Sequence, residues 1–407
     1  MTAAIPISDS GADNGANTEA LGLYVHWPFC LSKCPYCDFN SHVAAAIDQR
    51  AWQGAYLREL DTLAQSIGER RLTSIFFGGG TPSLMDAGTA AAVINRATAL
   101  WPPDDMDSLE ITLEANPNSA EAAHFAAFRE AGINRLSVGV QALDDQALAF
   151  LGRGHSAAEA LSALDLARRH FDRVNADMIY ARPGHSVTAW RDELGALLQT
   201  GLGHLSLYQL TIERGTPFFA AHRRGDFTLP DEETQARLYE ETGDLLARAG
   251  LTPYEISNYS RTGQECRHNV HVWRYGDFAG VGPGAHGRLT LGDGAVATEN
   301  HRAPQDWLAA VEQTGQGLKA RTPLSRAQRM EELVMMGLRL ASGISAKDFK
   351  AVTGRDFADM LGRDRIHRLV AGGFLVDQCG RLAATEDGRM RLDAVIRELL
   401  AEGVTSD

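Results

Sequence analysis

The stretch from Tyr24 to Asn40, YVHWPFCLSKCPYCDFN, runs from a short apolar strand-former into three cysteines, Cys30, Cys34 and Cys37, spaced CxxxCxxC. The rest of the 407-residue chain holds two more, Cys266 and Cys379. Closed thiolate sites for zinc or iron–sulfur use four ligands, and no fourth lies nearby. A zinc knuckle needs a second Cys or His pair at short spacing, and His42 alone is a weak substitute. A cubane cluster held by three thiolates, with an exchangeable ligand on its fourth iron, fits the count better. A zinc-binding structural or interaction module stays open; a brown preparation carrying iron and sulfide excludes it.

Outward from this loop, short apolar runs alternate with helical patterns. LGLYVHW, LTSIFFGG, LEITLEANP, INRLSVGVQ, RVNADMIYA and HLSLYQLTI read as strands, and 51–67, 86–99, 119–131, 157–170, 187–199 and 232–249 read as the helices between them. Repeated strand–helix units connect right-handedly and imply a parallel sheet. Six of them form an incomplete (β/α)6 barrel, with an open doubly wound sheet as the alternative. In either form, chemistry gathers at the C-terminal strand ends, where the unusual residues of this chain lie.

The expected organisation is a disordered polar tail over 1–20, a barrel over 21–250, a Gly- and aromatic-rich extension over 251–322, and a C-terminal helical domain over 323–400. The last combines helices with a small hairpin, a winged-helix-like pattern. The formal charge of −13 carries no basic block, so nucleic acid is not an expected partner. No apolar run approaches the ~20 residues of a membrane span, so the protein is not expected to be an integral membrane protein. With five cysteines and a start that reads as neither signal peptide nor anchor, the expected compartment is the cytoplasm.

The order and spacing of YVHWPFCLSKCPYCDF, FFGGGTPSL, TLEANP, RLSVGVQAL, LGRGH, NADMIYARPG and YQLTIERGTP resemble the radical S-adenosylmethionine (SAM) superfamily. Within it they resemble the group of anaerobic coproporphyrinogen III oxidases and heme chaperones, along nearly the whole chain. The resemblance implies a [4Fe-4S] cluster on Cys30, Cys34 and Cys37, with SAM on the open iron, cleaved by one electron to a 5′-deoxyadenosyl radical. It also implies that Gly79 and Gly80 let backbone carbonyls approach the methionine ammonium and that Thr81 adds a hydroxyl. Glu114 then meets a ribose hydroxyl or the ammonium, and Arg153 meets the SAM carboxylate through its planar fork. Gln141 and Asp177 hold further polar groups of SAM, and Tyr24 and Tyr36 are its aromatic contacts.

Two features separate chaperone from oxidase. The oxidases carry a further cysteine two residues past the third, and this chain has Phe39 there, a side chain unable to bind iron or transfer a proton. The stretch CRHNVHVWRYGDFAGVGPGAHG resembles the HNxxYW stretch and Gly-rich loop of the chaperones, with Val272 at the Tyr position and His268, Asn269 and Trp273 kept. Imidazole and thiolate both ligate heme iron, so His268 is the first candidate heme ligand, with Cys266 and His271 behind it. His286 reads as a hydrogen-bonding loop residue. The resemblance favours a heme chaperone that binds heme and passes it to an acceptor heme protein. The alternative is oxygen-independent decarboxylation of coproporphyrinogen III.

Overall fold

The computed structural model describes residues 19–401, apart from 45 and 293. The expected tail lies outside the described residues up to position 18, and Ala20 already opens the first strand. Six strands form the centre of the sheet in chain order: β1 (Ala20–Trp27), β2 (Arg71–Gly79), β3 (Glu110–Ala115), β4 (Arg135–Gln141), β5 (Arg173–Tyr180) and β6 (His204–Gln209). All are parallel.

Alternation along each strand gives the sheet two unlike faces. Leu23, Val25, Ile75, Phe77, Ile111, Leu113, Leu136, Val138, Ala176 and Leu205 belong to one large apolar core. The intervening residues, Ser74, Thr112, Ser137, Asn175 and Ser206, are buried and polar. Arg173 on β5 reaches Glu110 on β3 at 2.7 Å although β4 lies between them. Strands stand about 4.8 Å apart, so such contacts across a neighbour require a concave polar face. This is the incomplete barrel, with a polar lumen.

The intervening helices form near the expected positions, and several starts are fixed by a short polar cap. Ser156 builds a capping box with Glu159 before Ala157–His170, and Ser186 and Asp231 cap Val187–Leu198 and Glu232–Arg248. The 119–131 pattern is split into Ser119–Ala122 and Phe125–Glu130.

The stretch over 251–322 is built into the barrel sheet. β7 (Thr252–Pro253) and β8 (Asn258–Ser260) extend the sheet beyond β6, with β8 antiparallel to it. β9 (Phe278–Val281) pairs parallel with β1, followed outward by β10 (His286–Leu291), β11 (Gly294–Asn300) and β12 (Leu318–Pro323). Twelve strands thus form one sheet among the described residues, open at both ends. The C-terminal region has its own core, including Met330, Leu333, Phe349, Leu369, Leu382 and Leu399. Its helices and a three-stranded sheet of Ile344–Ser345, Arg381–Ala384 and Leu375–Gln378 match the expected winged-helix-like pattern.

Candidate cluster and cofactor site

Beyond β1 the chain turns at Pro28 into the cysteine loop, pinned where Phe29–Cys30 pairs with His42–Val43. Cys30, Cys34 and Cys37 are free and half-buried. Burial pushes the Cys30 and Cys37 thiols above the ordinary cysteine range, so loading a metal there releases protons. The end of β2 backs this loop: the amides of Gly80 and Thr81 donate to the carbonyls of Trp27 and Phe29 at 2.7 and 2.8 Å. Thr81 Oγ1 donates to Cys30 Sγ at 3.4 Å, so its hydroxyl faces a cluster thiol first.

Gly79 has φ +114°, and a side chain there would strike His26, whose ring lies within 2.8 Å of the Cβ position. At Gly80 a Cβ would sit 2.7 Å from the Phe29 carbonyl oxygen. These glycines are fixed by close approach as well as by backbone conformation. Tyr24 on β1 and His26 share a hydrogen bond of 3.0 Å, and His26 Nε2 meets the Asn40 carbonyl at 2.9 Å. Burial holds His26 down to about 4, so it is neutral and donates from one nitrogen only.

Glu114 and Asp177 stand at the lumen ends of β3 and β5. Glu114 accepts from the Gly79 amide at 3.2 Å. Burial, then the nearby Asp177 charge, pushes it up to about 8. Burial also raises Asp177, although Ser137 and Asn175 donate to it at 3.2 and 2.6 Å. The charge of Arg135 acts on both carboxyls but outweighs burial at neither, and the pair favours a cationic or hydroxyl-bearing ligand between them.

Arg153 crosses to the cysteine loop. Its Nη1 lies 3.5 Å from Cys34 Sγ, and Nη2 donates to the Gly139 carbonyl at 3.0 Å and to Asn116 Oδ1. Its Nε is buried without a partner. Gln141 ends β4 in the left-handed region, φ +67°, after a break in register, a strained conformation of the kind held at ligand sites. Its amide covers Gly139, where an added Cβ would lie 2.8 Å from Gln141 Nε2. Tyr36 is half-buried against Phe218, ring centroids 6.3 Å apart, and burial raises its phenol.

Sequence reasoning missed two residues here. Asn116, within the quoted TLEANP, joins Thr81 at 3.2 Å to Arg153. Asn40, at the end of the opening stretch, donates to the carbonyls of Pro283 and Arg302 at 3.0 and 2.9 Å. It latches the cysteine loop to the Gly-rich loop of the extension. That loop is held from behind by buried Glu59, which accepts from the amides of Gly282 and Gly317, both at 2.8 Å. The Gly and Asn content was visible, but their pairing was not.

The structure corrects the placement of the heme candidates. His268 opens the helix Arg267–Trp273, which lies against β2 and β1 at the opposite, N-terminal end of the barrel. It is 6% exposed, bonds Ser74 Oγ at 2.9 Å and lies against Phe76. Burial holds it down to about 3. Cys266 is fully buried, its thiol 3.4 Å from Glu110 and pushed up to about 12 by burial. His271 bonds the Asp277 carbonyl at 2.7 Å. His268 and Cys266 are thus buried in the barrel floor, with half-buried His271 beside them. Trp273, from the same stretch, receives the Arg339 guanidinium 4.6 Å over its ring and so joins floor to C-terminal domain. His286 is exposed on β10.

The residues fit the implied groups. Three free thiols share one loop, while among the described residues no three His, Cys, Asp or Glu are arranged for a single metal ion. Beside the thiols lie a glycine cradle, two carboxyls and a guanidinium with an unpartnered Nε, the complement of an amino-acid headgroup. An α/β barrel with this loop at its rim defines a class, and the comparisons agree. The Radical SAM superfamily matches residues 24–194 and the HemN C-terminal domain residues 324–391.

The chain belongs to the radical SAM superfamily. It is 38% identical to the radical S-adenosyl methionine domain-containing protein 1, mitochondrial, of Bos taurus, over 97% of this chain and 91% of that protein. It is 35% identical to the heme chaperone HemW of Haemophilus influenzae, over 94% of this chain and 98% of that protein. Among solved structures it matches the coproporphyrinogen III oxidase HemN of Escherichia coli with a TM-score of 0.77, at 22% identity, covering 94% of this chain and 90% of that one. That match supports the fold.

Proposed function

We propose that this protein is a heme chaperone that binds a [4Fe-4S] cluster, SAM and heme, and transfers heme to an acceptor heme protein. The observation that carries the reading is the near full-length similarity to proteins named heme chaperone HemW. Phe39 agrees with it: where the resembling oxidases have a further thiol, the cysteine loop presents a phenyl ring, 62% exposed. No helix among the described residues is long and apolar enough to cross a membrane. The working compartment we propose is the cytoplasm.

The cluster, when bound with SAM, supplies one-electron chemistry. Around it the chain positions and shields. Cys30, Cys34 and Cys37 hold the iron, and Thr81 and Arg153 place hydrogen-bond donors at two of the sulfurs, which tunes a cluster's potential. Glu114 and Asp177 take the positive end of the methionine moiety and the ribose hydroxyls, and Arg153 takes its carboxylate. Tyr24 and Tyr36 would be aromatic contacts of SAM, and Gln141 would hold polar groups of its nucleoside or methionine part.

The test is an anaerobic assay of cluster-reconstituted protein with SAM, a low-potential reductant and coproporphyrinogen III, following vinyl product and 5′-deoxyadenosine. In parallel, heme-loaded protein is mixed with an apo heme protein. Heme transfer without vinyl product is expected. Catalytic vinyl formation would reassign the protein as the oxidase.

A further inference from the structure

With His268 and Cys266 in the floor, the cargo needs another seat, and the surface offers one. Among the described residues the three most exposed large hydrophobic side chains are Leu31 at 66%, Phe39 at 62% and Val43 at 59%. All three lie on the fourteen residues from Cys30 to Val43, which also carry Cys34 and Cys37. Val43 stands opposite Cys30 in the short bridge, and Leu31 follows Cys30 directly. Water-exposed apolar groups concentrated this way mark an interaction site.

The same segment carries an imidazole and cations. His42, between Phe39 and Val43 in the chain, is half-buried, with Nε2 3.3 Å from Asn40 Oδ1. An imidazole steadied by an oxygen at one nitrogen is the usual form of a metal-ligating histidine, the other nitrogen facing the metal. Lys33 and Arg302 lie near enough to His42 for their charges to oppose its protonation. Lys33 Nζ also donates to the Ser41 carbonyl at 3.4 Å. Asp38 is the segment's one acid. In a chain of net charge −13, a local cationic pair beside an apolar patch suits a flat apolar dianion that carries a metal.

Resting on the chaperone reading, we infer that heme docks on the outer face of the cysteine loop, its porphyrin against Leu31, Phe39 and Val43. His42 is its axial ligand, and Lys33 and Arg302 face its propionates. Cargo and cluster then share one loop, so the state of the cluster is felt at the cargo seat.

The experiment is hemin titration of cluster-reconstituted protein, read by Soret absorption and electron paramagnetic resonance, with iron and sulfide counted in each sample. Wild type should give a histidine-ligated spectrum. His42→Ala should change that spectrum and weaken binding at least tenfold. Phe39→Glu should weaken binding comparably with His42 intact, and His268→Ala should leave the spectrum unchanged. Unchanged binding and spectra in both His42→Ala and Phe39→Glu, at full cluster content, would overturn this seat while leaving the chaperone reading in place. Absence of heme binding by wild type would overturn the reading itself. If Phe39→Glu spares heme but abolishes self-association or reduction by a protein electron donor, the patch is a protein interface and the proposal falls.

Discussion

Glu110 and Glu114 lie four residues apart on β3 and face the same lumen, yet one is locked and the other open. Glu110, at the floor, is buried; burial alone would raise it, but the charges of Arg135 and Arg173 outweigh that and hold it below the carboxylate range. It also accepts from the His268 amide at 3.0 Å. Glu114, at the rim, has one backbone donor, and burial and the Asp177 charge outweigh Arg135 and push it up to about 8. The floor pairs its acid with two guanidinium charges and a backbone amide and is structure. The rim sets two buried carboxyls near one another, both raised by burial, as a ligand site does.

The sharpest break between the two ends comes from the cysteines. Replacing Cys30, Cys34 or Cys37 by Ala should abolish cluster assembly, whereas Cys266→Ala should assemble it normally; iron and sulfide analysis decides, and a full complement in any of the first three removes that residue from the ligand set. Next in size, Glu110→Gln strands buried Arg135 and half-buried Arg173 and should cost about 3–5 kcal/mol in denaturant unfolding. Glu114→Gln should cost under about 1 kcal/mol at neutral pH while weakening SAM binding in calorimetry, since no buried cation is orphaned. Equal losses from the two would erase the distinction drawn here.

The pH dependence separates them further. Glu114 binds its proton more tightly folded than unfolded, so its contribution is fully present below the unfolded value of 4.5 and is lost as pH rises through about 8. Over that window, wild type should lose stability relative to Glu114→Gln. A depressed group behaves oppositely: the contribution of Glu110 is present above its unfolded value and lost as pH falls through its folded one. The smallest expected effect belongs to Asn40→Ala, which removes three side-chain hydrogen bonds, to the Pro283 and Arg302 carbonyls and with His42 Nε2, worth ~1 kcal/mol each. It should speed cluster loss to a chelator by a factor of about 5–30, with global unfolding little changed. An unaltered rate would mean that the latch does not steady the cysteine loop.

Much of this was legible because it is local. The three cysteines fall within eight residues, and Glu114, Gln141 and Asp177 stand towards the ends of alternating strand runs, so their strands could be read from the order of residues. His268 misled for the same reason: a histidine in a Gly-rich, aromatic stretch looks accessible until the helix carrying it is seen lying in the barrel floor. Phe39 was read for the thiol it replaces, but its exposure was invisible, because exposure depends on what packs over the loop.

The amino-acid order therefore determined the close spacing of the three thiols and the strand–helix alternation, both set by contacts within a few residues or one strand period. Only the tertiary structure decided which end of the lumen each polar group serves. The pairings that decide it join Asn40 to Pro283, Glu110 to His268 and Gly282 to Glu59, across 243, 158 and 223 residues. No local periodicity encodes such a pairing; the concave sheet creates it by bringing strands one neighbour apart to face each other across a shared interior.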